Sequence, residues 1–129
     1  MNLRLETAKR LLARARDDRF VVASLAGDSA APLWPVGFHA QQAIEKALKA
    51  VLAARGVEYP LTHNLALLLT ELTQAGCGNP PDASRLPELT PYGVAFRYGD
   101  LGDFDEVRMD PAWALSCVDR TIVWCESQV

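Results

Sequence analysis

The chain has 129 residues, half of them hydrophobic and 22% charged, with a formal net charge of −3. That balance fits one globular domain spanning 1–129 and excludes a disordered chain. The slight acidity leaves only a local electrostatic case for nucleic-acid binding. No stretch approaches the roughly 20 consecutive apolar residues of a membrane helix. Charges are mixed into the first turns, from Met1 to Arg10, where a signal peptide would be apolar, so a cytoplasmic location is expected.

The first helical pattern runs from Leu3 to about Ala26. Leu5, Ala8, Leu12 and Ala15 repeat at three- and four-residue spacing, and Gly27-Asp28 supplies the stop. Arg4, Lys9, Arg10, Arg14, Arg16 and Arg19 outnumber Glu6, Asp17 and Asp18, which makes this helix locally basic. A solvated face laced with local ion pairs and a phosphate-contacting face both fit that pattern.

The second helix is expected from about Pro35 to Arg55, with Gly56 closing it. At about 100° per residue, Ala40, Ala43, Ile44, Ala47, Ala50, Val51 and Ala54 share one face. So much alanine lets a neighbouring helix approach closely, which suits a central helix of a bundle. His39, Gln42, Lys46 and Lys49 form a polar stripe opposite, with Gln41 and Glu45 beside it. That stripe is either a solvated face or a binding face. Its lysines could equally pair with Glu45 or with acids on another helix.

Thr62 reads as the N-cap of a third helix carrying Leu65, Leu68, Leu69 and Leu72, with His63 in its first turn and Gly76 as its stop. A turn-rich loop over 76–82 follows, then a short helix from about Pro91 to Tyr98 with its proline in the first turn. Asp110-Pro111 reads as N-cap and first position of a last helix, cored by Leu115, Val118, Ile122 and Cys125. No segment alternates with period two. The expected fold is all-α: an up-and-down bundle of four main helices plus a short one.

Cys117 and Cys125 would lie about 12 Å apart on the last helix at 1.5 Å per residue, too far to bridge. With Cys77 they read as core thiols. Neither the two histidines nor Asp100, Asp103, Asp105 and Glu106 fall in a zinc or calcium spacing, so no metal or cofactor is expected. Each histidine also has an ordinary reading, as a ring satisfied by a backbone or carboxylate partner.

The run Phe38-His-Ala-Gln-Gln-Ala-Ile-Glu-Lys-Ala-Leu-Lys-Ala50 resembles the second-helix signature of HEPN domains, the higher eukaryote and prokaryote nucleotide-binding family. Thr62-His-Asn-Leu65 is similar to the family's Thr-His-Asp-Leu, with Asn64 for the acid. Phe96-Arg-Tyr-Gly-Asp100 is similar to its Arg-Tyr-Pro-Asp, with Gly99 for proline. The three motifs stand in family order over nearly the whole chain. The resemblance implies a homodimer, commonly encoded beside a minimal nucleotidyltransferase as a toxin–antitoxin pair. Other members are metal-independent ribonucleases, and some only bind nucleotides or proteins.

The ribonuclease members use an Arg-x4–6-His pattern, in which histidine moves the proton and arginine stabilises the phosphorane-like charge. No pair in this chain has that spacing. Gly102, Asp103 and Phe104 occupy the eligible positions after Arg97, and Arg55 misses the window before His63 by one residue. A nucleotide- or RNA-binding, or partner-binding, subunit is therefore expected over an enzyme, and no catalytic residue is assigned. The candidate contacts are His39, Gln42, Lys46, Lys49, His63, Arg97 and Asp100. Arg97 suits an ion pair to Asp100 or Asp103 as well as a phosphate. Tyr98 is the candidate for modification by a nucleotidyltransferase partner. A ribonuclease toxin with a rearranged Arg/His site and a purely structural interaction dimer are the alternatives.

Overall fold

A computed structural model describes residues 2–93 and 109–129. Helix α1 covers Leu3–Ala26, α2 Leu33–Ala54, α3 Leu65–Gln74 and α4 Pro111–Gln128. A 3₁₀ turn at Leu86–Leu89 leads directly into helical residues 90–93. Among the described residues every regular element is helical, in agreement with the expected all-α bundle.

Each boundary has a local cause. The Asn2 side chain accepts from the backbone N–H groups of Arg4 and Leu5 and opens α1. Helix α2 begins two residues before the expected Pro35. Pro32 is extended, and Pro35 sits at the third helical position, where its missing N–H is still one that the helix leaves unpaired. The α2 C-terminus closes on Gly56 at φ +70°, with Val57 N–H returning to the Leu52 carbonyl.

The expected cap of α3 is corrected. Asn64, not Thr62, is the N-cap and accepts from Leu67 N–H, while the Thr62 hydroxyl accepts from Asn64 N–H one step earlier. His63 consequently precedes the helix rather than standing in its first turn. Asp110 caps α4 by accepting from Ala112 N–H, with Pro111 in first position as expected. Of the short helix expected over 91–98, residues 90–93 are helical and the remainder lies outside the described residues.

Helix α2 packs against α1, α3 and α4, and α1 also lies against α4. The α2 alanine face is sealed: Ala40, Ala43, Ile44, Ala47, Ala50 and Val51 have no exposed surface. Ala8, Leu12, Ala15 and Val22 face it from α1; Leu65, Leu68 and Leu72 come from α3, and Ala114, Cys117, Val118 and Cys125 from α4. Leu115, expected in that last stripe, is only partly buried at its edge. The three cysteines are buried and unbridged, and burial pushes the Cys117 and Cys125 thiols above their ordinary range.

Candidate functional site

The inner part of the α2 polar face is buried, while His39 and Lys46 at its edge stay partly exposed. Gln41, Gln42, Glu45 and Lys49 are all buried. Polar groups removed from water must find partners or cost stability. Here the partners come in two clusters.

The first is centred on Glu45, whose side chain is only 6% exposed. Its Oε1 accepts from His63 Nδ1 at 2.8 Å and from Gln41 Nε2 at 3.1 Å, and its Oε2 accepts from Lys49 Nζ at 3.0 Å. Gln41 Nε2 also donates to the His63 carbonyl at 2.9 Å, and Gln41 Oε1 accepts from Gln42 Nε2 at 2.7 Å. Lys49 Nζ in addition lies 5.5 Å from the centre of the Tyr59 ring. Burial alone raises the Glu45 carboxyl; the hydrogen bonds from His63, Lys49 and Gln41 outweigh it and hold the group below its ordinary range.

The second cluster joins two helices. Asp18 of α1 accepts from His39 Nδ1 at 2.9 Å through one oxygen and from Lys46 Nζ at 2.6 Å through the other. His39 and Lys46 are seven residues apart, two turns on one side of α2, so a single carboxylate can serve both.

The clusters share a design. A carboxylate accepts, so each histidine carries its proton on Nδ1, and in the neutral ring Nε2 is then a free acceptor. Both rings are about one-third exposed, at 30% for His39 and 33% for His63. Neither Nε2 has a protein partner or is sealed from solvent among the described residues. Each ring is thus fixed on its inner side and open on its outer side.

Two glycines bring the 90–93 turn onto this face. A Cβ at Gly37 would collide with the Tyr92 ring, and a Cβ at Gly93 would collide with the Gln41 amide. Thr90 adds a hydroxyl that accepts from Leu65 N–H, tying the same turn to the start of α3.

Five expected contacts, His39, Gln42, Lys46, Lys49 and His63, therefore belong to these two adjoining clusters. Arg97, Asp100 and the modification candidate Tyr98 lie outside the described residues. Lys49 and Gln42 are largely withdrawn from solvent, so His39, Lys46 and His63 are the groups a ligand can reach. The organising acid Asp18 is not among the expected contacts, although its position holds a signal: it continues the Ala8, Leu12, Ala15, Val22 stripe at three- and four-residue spacing. A charge inside a core stripe implies a partner on the facing helix. Among the described residues no group of three or more His, Cys, Asp or Glu side chains is placed to hold a metal, and no helix is long and apolar enough to cross a membrane.

A family model for the HEPN domain matches residues 1–128 of the chain. No curated protein and no solved structure matches it.

Proposed function

The chain belongs to the HEPN family, and from that premise we propose that it is a nucleotide- or RNA-binding subunit whose contact surface is the outer edge of the α2 polar face. The observation that carries this reading is the pair of carboxylate-anchored histidines with open Nε2 atoms, alongside Lys46. A ring fixed on one side can accept from a base edge or, when protonated, donate to a phosphate. Its orientation is already set by Asp18 or Glu45, so binding has little ordering cost left at these side chains.

The remainder of the reading rests on family membership. It comprises a homodimer, a minimal nucleotidyltransferase partner in a toxin–antitoxin-like pair, and Tyr98 as the acceptor of any nucleotide the partner transfers.

The test is a titration with a short oligoribonucleotide and with ATP, comparing the native protein with a Lys46→Gln/His63→Gln double variant whose helicity is verified. Binding weakened about tenfold or more is expected, corresponding to the loss of one charge-assisted hydrogen bond. Unchanged binding of both ligands would refute the reading.

One observation favours a second reading, a metal-independent ribonuclease. A carboxylate–histidine pair with Nε2 facing outward is the geometry of a general base, and the chain has two. Cleavage of purified RNA in the presence of a chelator, abolished by His63→Gln or His39→Gln, would establish it. No cleavage by the native protein leaves the binding reading alone.

A further inference from the structure

We propose that the ligand of the α2 polar face is a nucleic-acid single strand rather than a lone nucleotide, and that Arg10 and Arg14 of α1 form the track for its phosphates. This rests on the nucleotide-binding reading above and extends it to a surface on another helix.

Beyond Arg4, whose guanidinium lies over Gly56, the arginines of α1 divide into two sets. Arg16 and Arg19 face α4 and are paired there with Glu126 and Asp119. Arg10 and Arg14 are exposed and have no ion-pair partner among the described residues, although Glu6 and Asp17 lie within helical reach. Their guanidinium groups are left to water and to any anionic ligand.

Their position is set by Asp18. Arg10, Arg14 and Asp18 form one row at four-residue spacing on α1, and Asp18 is bonded to His39 and Lys46 of α2. The two helices are antiparallel, since Asp18 meets the first half of α2 while the Arg4 guanidinium lies over Gly56 just past its end. In that register Arg14 is level with Lys46, and Arg10 stands one turn further along, level with Ala50. From His39 through Lys46 and Arg14 to Arg10 the row covers roughly 16 Å at 1.5 Å per residue.

A single phosphate group occupies one position on such a row. A strand offers a phosphate at every nucleotide, so successive cations can each be used. The partly exposed rings of Phe38 and His39, packed edge-to-face with centroids 5.1 Å apart, stand at the far end of the row. Aromatic rings beside a line of cations are the combination that holds unpaired bases and their backbone. The overall charge of −3 does not oppose this, because the relevant field is local and the facing acids Asp18 and Glu45 are already engaged by His39, Lys46, His63 and Lys49.

The experiment measures affinity for AMP, ATP and single-stranded RNA and DNA of about ten nucleotides over a range of salt concentrations. It compares the native protein with Arg10→Gln/Arg14→Gln, the charge-retaining Arg10→Lys/Arg14→Lys, and Arg16→Gln as a control. The Gln pair should weaken binding of both strands at least about tenfold and reduce the slope of log affinity against log salt by about 1.4, at roughly 0.7 per phosphate contact. Mononucleotide affinity should not change, the Lys pair should retain most of the slope, and Arg16→Gln should leave it intact. Strand affinity and slope that ignore the Gln pair would overturn the proposal, and so would an equal loss for AMP. Loss of mononucleotide binding in Lys46→Gln/His63→Gln, with no strand dependence on Arg10 and Arg14, would leave the parent reading standing and this one refuted.

Discussion

The two faces of α2 exclude water by opposite means, one completely and the other only along its inner part. The alanine face is closed by close approach: Ala40, Ala43, Ala47 and Ala50 have no exposed surface, and their small size lets α1, α3 and α4 crowd in. The polar face is closed by pairing, with Asp18 and Glu45 each engaging a lysine and a histidine. The first arrangement depends on volume and tolerates little added bulk. The second depends on partners, and its outermost members retain open nitrogen atoms. One face holds the bundle together; the other does so and still presents open ring nitrogens.

The sharpest way to break this comparison is Glu45→Ala. It leaves Lys49 and the inner side of His63 without their acceptor in a nearly closed setting, and removal of one member of a buried ion pair costs about 3–5 kcal/mol. Denaturant unfolding should register that loss in full at neutral pH. The folded-state Glu45 carboxyl lies below its unfolded value, which is about 4.3. Its contribution is therefore present above that pH and lost as the pH falls through the folded value. The gap between Glu45→Ala and the native protein should narrow below about pH 4, whereas a gap independent of pH would show that Glu45 does not act through its charge.

A smaller loss is expected from the alanine face. Ala47→Leu forces extra methylenes into a site with no exposed surface, at about 1–3 kcal/mol. Unlike changes to the polar edge, it should leave ligand affinity per folded molecule unaltered. The smallest effect on stability belongs to Lys46→Gln: its ammonium is partly exposed and Asp18 keeps His39, so at most about 1 kcal/mol is expected. Yet this variant should rank among the most damaging for binding. If Ala47→Leu and Lys46→Gln exchanged these roles, the division of labour between the faces would be wrong.

Much of the architecture was legible because it rests on local patterns. The alanine stripe of α2, the Ala8–Leu12–Ala15 stripe of α1 and the Asp110-Pro111 start of α4 all depend on spacing or capping within a few residues. The misplaced boundaries were local competitions: Thr62 and Asn64 are both competent caps, and only the folded chain shows the hydroxyl spent on Asn64 N–H. The buried state of Gln41, Gln42, Glu45 and Lys49 was not legible, because it depends on partners brought from elsewhere, above all Asp18 and His63. A polar stripe alone does not reveal whether water or another side chain faces it. The candidates Arg97, Tyr98 and Asp100 came with the family resemblance and lie outside the described residues.

The central claim is that the outer nitrogens of His39 and His63 are the contact points of the polar face. Nitrogen-15 spectra of the histidine side chains, recorded at mildly alkaline pH while a short oligoribonucleotide is added, test it most directly. The free protein should show both rings as Nδ1–H tautomers, as their carboxylate partners require, and both Nε2 resonances should move together as the strand binds. Saturable binding that leaves both Nε2 resonances in place would contradict the account.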